Sequence, residues 1–567
     1  MKLVHLGIAS AVSLAALLSA APRAEACGGF FCQNVPVDQT GEQILFAVED
    51  GRVEAQIQVD YVGAAEQFSW VVPVPSLPEV GVSSDRVFGV MKERAGIRFE
   101  LTMTYEGNCM YPPMSAEGGG VRGDATSDAD NGVTVVTQSQ VGPYDYAILQ
   151  ATDTLALFDW LAANDYIIPS TAAPLVEPYV LMGDQMHFVA FKLQKDRTVG
   201  EIAPVVLKYD DTQPMIPIQL TAIATQPDLG VTVGLLGDAR AVPENYLHVL
   251  INEARIDWLS SGSNYDALIN DAMDEAGGQA FTTEFAGASD RFVGAFFTDG
   301  QMETSQLALT GDPVAFFDLV RNEGFTADTQ LLEIMGRCIP LPASLAAAGL
   351  DQRSFLNNLE SYRAELAGFD FDEAACANEL EAAIVAPLRH AQELFDRLPY
   401  FTRLHTSLSA EEMTVDPVFA FNSEMGDVDN VHRATAVMVC ENNGSYEAVP
   451  IVVTLADGRE VLTSFSASSQ LDAMPGAAAL EQTGATGAPV AVARTDGRNP
   501  VSELAAHNVA AAKAFPDRSF ELNPGDGERR VGTIRSDGGC SSGGSSAGLS
   551  ALLGLLGLVA LRRRRAS

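Results

Sequence analysis

Seven histidines are scattered through the chain: His5, His187, His248, His390, His405, His432 and His507. None lies in a His-Glu-x-x-His pattern and no two are four apart, so the two-histidine helix face of a zinc protease is absent. No Gly-x-Ser-x-Gly elbow raises a serine on a strand-to-helix turn. No glycine-rich loop runs into Lys-Ser or Lys-Thr to cradle phosphate. His187 sits among apolar strand residues and reads as a structural histidine. Asp124, Asp128 and Asp130 are where calcium ligands gather, but they lack the ligand order and closing Glu of an EF-hand, so a solvated loop is the better reading. No cofactor is expected. Paired carboxylates for glycoside cleavage leave no sequence signature, because what defines them is a separation in space.

The cysteines carry more information. Cys27, Cys32, Cys109, Cys338, Cys376, Cys440 and Cys540 make an odd set of seven. In an oxidising compartment pairing is the default, and the first six are disulfide candidates with fifteen possible connectivities. Cys27 with Cys32 is the best local pair, since the glycines of Cys-Gly-Gly-Phe-Phe-Cys let the chain turn back. Metal binding or thiol exchange there is disfavoured by the spacing and by export.

Export itself is read from residues 1–26. Lys2 gives a positive start, Leu3 to Ala20 is apolar, and Ala24-Glu25-Ala26 offers small residues for a cut before Cys27. A lipoprotein cut at Cys27 competes with this, although it would want a larger apolar residue at Ala24. The formal charge is −39, from 35 basic and 74 acidic residues. Six of the basic ones (Lys2, Arg23 and Arg562 to Arg565) lie in the terminal segments, so the body is more acidic still. Phosphates would be repelled, which argues against nucleic acid as a partner. Self-repulsion suits a protein kept dispersed outside the cell.

The elements between the termini predict an α+β protein of several parts, since 567 residues exceed one core. Residues 27–150 read as a β-rich lobe. Gln43 to Val48 and Arg52 to Val62 flank the Asp50-Gly51 turn. In the second strand Val53, Ala55, Ile57, Val59 and Tyr61 face a core, and Arg52, Glu54, Gln56, Gln58 and Asp60 face water. Gln67 to Val72 is expected to stop at Pro73 and Pro75. Arg98 to Tyr105 follows, with Phe99, Leu101, Met103 and Tyr105 buried, and then a long loop over 107–132. Residues 151–260 read as a second β-rich lobe with a leading helix capped at Asp153 or Thr152. Its strands are His187 to Leu193, Pro204 to Tyr209, Met215 to Ala222, Val231 to Leu236 and Tyr246 to Ile251. Sandwich-like packing is expected for both lobes.

Residues 261–398 read as mainly helical, over Pro313 to Arg321, Asp328 to Arg337, Asp351 to Ala367 and Phe371 to Arg397. Residues 399–467 return to strands, with a capping box at Ser409 to Glu412 expected to open a short helix. Residues 468–546 read as a linker or stalk, interrupted by one helix over Val501 to Phe515. Residues 547–567 are an apolar tail ending in arginines. As a helix, Ala547 to Leu561 spans about 22 Å, short of the roughly 30 Å hydrocarbon core.

Two resemblances follow from quoted residues. Gly539-Cys540, the Gly/Ser stretch, the short apolar helix and Arg562, Arg563, Arg564 and Arg565 together resemble the Myxo-CTERM sorting signal. That resemblance implies modification at Cys540 and removal of the helix by a sorting protease; an ordinary single-pass anchor is the alternative. Either places the body outside, with export machinery and membrane as partners through the tail.

The body carries Cys27-Gly28-Gly29-Phe30-Phe31-Cys32, Gln43-Ile44-Leu45-Phe46-Ala47, Phe68-Ser69-Trp70-Val71-Val72-Pro73-Val74-Pro75 and Pro214-Met215-Ile216-Pro217-Ile218. It also carries Thr402-Arg403-Leu404 and Glu412-Met413-Thr414-Val415-Asp416-Pro417. Over roughly 27–422 these resemble the exported bacterial DUF2330 family, which supplies no activity and no catalytic residues. The expectation is a surface-anchored, non-catalytic module for binding or envelope structure, with an unknown surface ligand. The alternative is an extracellular hydrolase using carboxylates or a metal.

Overall fold

The computed structural model describes residues 38–531, apart from 63–67, 107–133, 167, 169–170, 184–185, 196–201, 224, 299, 326–327, 441–448, 467 and 528–529. The signal-like segment, Cys27, Cys32, Cys109, the Asp124 to Asp130 loop, Cys540 and Arg562 to Arg565 therefore lie outside the described residues.

In chain order the strands of the first half are β1 (Asp38–Glu49), β2 (Arg52–Val62), β3 (Ser69–Val74), β4 (Glu79–Val82), β5 (Arg98–Glu106), β6 (Thr134–Val141), β7 (Tyr144–Gln150), β8 (His187–Leu193), β9 (Val205–Asp210), β10 (Thr225–Gly237), β11 (Arg240–Pro243) and β12 (Leu247–Ile251). Then come β13 (Ala280–Ala288), β14 (Tyr400–Leu408), β15 (Phe419–Asn422), β16 (Val431–Val439), β17 (Ile451–Leu455), β18 (Glu460–Thr463), β19 (Ala477–Gln482) and β20 (Val490–Val492). A ten-stranded mixed sheet runs β20-β19-β12-β13-β14-β10-β1-β2-β9-β4. Two four-stranded sheets run β3-β8-β7-β6 and β18-β17-β16-β5. The fold is α+β.

The β1–β2 hairpin follows from its turn. Asp50 and Gly51 both take positive φ, 52° and 77°, which matches the twist of the flanking strands. Ile44, Phe46, Val53, Ala55 and Ile57 then face Val72, Val74, Tyr144, Val189 and Phe191 of the four-stranded β3–β6 sheet. This pair of sheets is a sandwich. The other face of the ten-stranded sheet is also covered: Leu45, Ala47, Leu236 and Phe401 pack under the helices Asp85–Ala95, Pro313–Asn322, Thr329–Cys338, Glu373–Leu380 and Ala386–Arg397. Four helix starts in this layer carry an aspartate whose carboxylate accepts a backbone N–H, at Asp312, Asp328, Asp351 and Asp372.

Several expectations are corrected. The middle of the side of β2 expected to face water is not solvated, because Glu54 and Gln56 are buried beneath that helical layer, while Arg52 and Asp60 at its ends stay exposed. Pro73 does not end its strand; it pairs with Phe188 on the outermost strand of its sheet, where a missing N–H is tolerated. Met215 makes only a bridge to Val418. After Pro217 the chain turns into the short helix Ile218–Thr221. Tyr105 is 46% exposed, because the core under β5 ends at Met103.

Asp351 to Ala367 is not one helix: it stops at Asn357, and Asn358 folds its amide back onto the Ser354 carbonyl at 2.8 Å. The Ser409 to Glu412 box forms its side-chain bond, Ser409 N to Glu412 Oε2 at 2.7 Å, but continues only as a turn. β13 threads through the segment read as helical, between β12 and β14. The ten-stranded sheet takes strands from both 27–150 and 151–260, so it crosses the boundary drawn between those lobes. The segment expected as a stalk contributes β19, paired with β12, whereas the helix expected within it is present at Pro500–Ala512. Among the described residues no helix is long and apolar enough to cross a membrane.

Candidate functional site

Strand β2 alternates, so its two faces feed two different places. On the sandwich side, β1 sets Glu42 opposite Val59, Ile44 opposite Ile57 and Phe46 opposite Ala55. Glu42 thus occupies a core position. It lines a small cavity of about 30 Å³ with Ile44, Phe46, Trp70, Val72, Met215 and Pro217. The quoted stretches 43–47, 68–75 and 214–218 converge on this one spot. The Glu42 carboxylate accepts from Gln39 Nε2 at 3.1 Å, and burial pushes its pKa up to about 7. The space suits a water rather than a ligand. Close by, Asp416 of the 412–417 stretch accepts from Tyr179 Oη at 2.7–2.8 Å and from the Gln219 amide at 3.1 Å, which ties that stretch to the end of 214–218.

On the helical side, Glu54 is bracketed by His390 Nε2 at 2.8 and 2.9 Å and Lys208 Nζ at 2.9 Å. Burial alone would raise its pKa; the His390 hydrogen bond and charge, then those of Lys208, hold it down at about 2. Gln56 Nε2 donates to Glu54 at 2.9 Å, and its oxygen accepts from Ser83 Oγ at 2.6 Å. Ser83 is the end of this chain and forms part of a cleft wall.

That cleft, of about 600 Å³, opens between the β6–β7 turn and the helices of the middle segment. Val82, Val141, Pro143, Ala203, Ile334 and Ala382 give it apolar surface. Its far wall owes its shape to a proline. Pro387 has no N–H for the carbonyl four residues back, and the helix widens into a π-turn over Glu381–Val385. The Ala383 carbonyl instead accepts from Gln330 Nε2 at 3.0 Å, while Gln330 Oε1 accepts from Ser84 Oγ at 2.6 Å. Arg337 Nε donates to Glu379 at 3.0 Å across the same wall. One residue beyond Arg337, the Cys338–Cys376 disulfide fastens the two wall helices together.

A third polar cluster is closed to solvent. A β-bulge between Thr283 and Phe285 turns Glu284 toward the Tyr265–Glu275 helix. There it accepts from Arg403 Nε at 2.5 Å and from Tyr265 Oη at 3.0 Å. His405, bonded to Thr232 at 3.0 Å, has its pKa lowered by burial. His248 and His432 are likewise engaged with Glu481 and Glu253. Among the described residues, no three His, Cys, Asp or Glu side chains are grouped to hold a metal.

Cys440 is also disulfide-bonded. The cleft was not foreseeable from motifs, because its polar residues come from 83, 140, 330–337 and 379. The Ser83 hydroxyl donates to an amide rather than to a histidine, so the wall can hold and orient a ligand without a preformed nucleophile–base pair.

Residues 21–302 match the family described as an uncharacterized protein conserved in bacteria (DUF2330). No curated protein and no solved structure matches the chain.

Proposed function

We propose that this chain, which carries the bacterial DUF2330 family over residues 21–302, is an exported binding protein held at the cell surface by its C-terminal segment, and that it takes a small ligand into the 600 Å³ cleft. The cleft is the observation that carries the reading. Its size is that of small-molecule sites, and it combines apolar surface with a few fixed polar groups. Gln330 is held from two sides, Arg337 is braced by Glu379, and the disulfide stiffens the wall. Such preorganisation lowers the ordering cost of binding. Export is supported by the signal-like 1–26 segment, the disulfides and the acidic composition.

The test is a ligand-observed NMR screen of the full-length protein against small polar and amphiphilic compounds, repeated on Ala382→Trp, which fills the cleft mouth. Saturable binding abolished by A382W with unchanged melting temperature is expected. Binding that A382W leaves intact, or a screen without binders, would overturn the reading. For location, protease added to intact cells should digest the body; a reduced, protected protein in the cytosol would refute surface display.

A further inference from the structure

We infer that the cleft selects a ligand carrying one positive charge on an apolar stem, a primary ammonium or guanidinium compound, with Glu333 as its counter-ion. The inference rests on the binding reading above and goes further by naming the ligand's chemistry. Among the described residues, three ionisable side chains line the cleft: Glu333, Arg337 and Glu379. Arg337 and Glu379 are joined through two guanidinium nitrogens, so their charges cancel locally. The neutral polar groups are also engaged. Gln330 bonds Ser84 and Ala383, Ser83 donates to Gln56, and Gln140 donates to Asp145 at 2.7 Å. Glu333 differs from all of them. It is half-buried in the wall and makes no hydrogen bond or ion pair with another described residue.

Glu333 is a half-buried carboxylate in a cleft whose apolar lining includes Val82, Ala203 and Ile334, and it has no ion-pair partner among the described residues. In a concave low-dielectric cleft its field is focused outward. The chain's net charge of −39 adds to that potential. An anionic ligand would meet repulsion, and a neutral one would leave Glu333 unpaired. An ammonium supplies the missing partner while its stem covers the apolar wall.

The experiment uses full-length protein and three matched probes, octylammonium, octanol and octanoate, with dissociation constants measured by calorimetry. Octylammonium should bind about tenfold or more tighter than octanol, the scale of a hydrogen bond to a charged group, with octanoate weakest. Glu333→Gln should erase that advantage, and Glu333→Lys should reverse it in favour of octanoate. Ala382→Trp should abolish binding of all three. Equal binding of octanoate and octylammonium, or octylammonium binding unchanged in E333Q and E333K, overturns the charge selectivity while leaving the cleft as a binding site. Absence of binding by every probe, or binding indifferent to A382W, overturns the cleft reading and this inference with it.

Discussion

Replacing Glu42 by Gln should stabilise the protein at pH 8 and change it little at pH 5. Glu42 sits at a core position between two sheets, with Gln39 as donor and apolar residues around the rest of the carboxyl. Its pKa rises from an ordinary 4.5 to about 7 on folding. The sign follows from that direction. The folded state holds the proton more tightly, so the favourable contribution is complete below pH 4.5 and is lost as pH climbs through 7. At pH 8 the carboxylate must ionise in place, at a cost of roughly 3 kcal/mol relative to the unfolded chain. At pH 5 the same cost is under about 1 kcal/mol.

Glutamine keeps the shape and never ionises, so E42Q should exceed the parent by about 2–3 kcal/mol more at pH 8 than at pH 5. That is a large part of a typical folding free energy. Urea titration of the intact, disulfide-bonded chain, followed by tryptophan fluorescence, reads the effect directly, since Trp70 lines the same cavity. An E42Q effect of equal size at the two pH values would show that Glu42 is not a protonated core residue, and the reasoning would fail.

Glu54 should show the opposite dependence: its pKa is held down at about 2, so its stabilisation is present above pH 4.5 and disappears as pH falls through 2. Glu54→Gln should cost about 2–3 kcal/mol at neutral pH and almost nothing near pH 2, measured by the same titration. Cys440 donates its amide to the Glu106 carbonyl at 2.7 Å, three residues before Cys109, a reach of about 10 Å. Non-reducing peptide mapping should therefore return Cys109 linked to Cys440; a Cys440 peptide joined to Cys27 or Cys32 would contradict it. A methyl group at Gly476 would sit 2.7 Å from the Ala272 nitrogen and 2.9 Å from the Leu268 carbonyl. Gly476→Ala should accordingly loosen β19 by about 2 kcal/mol or more, seen as faster proteolysis within 470–500 and no such change elsewhere.

The hairpin at Asp50-Gly51, the Asp153 cap and the strand periods of β2 and β8 are legible in the sequence because each is decided by neighbours along the chain. The buried polar side of β2 is not, since nothing near Glu54 announces His390, which lies on a helix more than three hundred residues later. β13 is masked by an otherwise helical neighbourhood, and β19 by a composition rich in Ala and Gly; both are strands because the sheet beside them offers unpaired edges. The same holds for the cleft. Gln330 and Arg337 read as ordinary exposed helix residues until Pro387 frees the Ala383 carbonyl and the Cys338–Cys376 link brings the second wall alongside. The motif stretches 43–47, 68–75 and 214–218 are visible as words in the chain, yet their meeting point at Glu42 appears only once the two sheets are stacked.

The order of strands in the large sheet constrains how the chain can be made. β1, among the first segments to emerge, needs β10 as its parallel neighbour, and β10 in turn needs β14. β5 must wait for β16, whose Val431 pairs with Arg98. β12 gains its outer partner only when β19 arrives. Pairings so distant along the chain close slowly. A polypeptide emerging from its N-terminus would leave β1 without its parallel neighbour until residue 237, β5 without a partner until 439, and β12 without its outer partner until 482. Until those late strands arrive, the early ones present unfinished β-edges, the kind of exposed surface that makes slow-folding chains prone to aggregate.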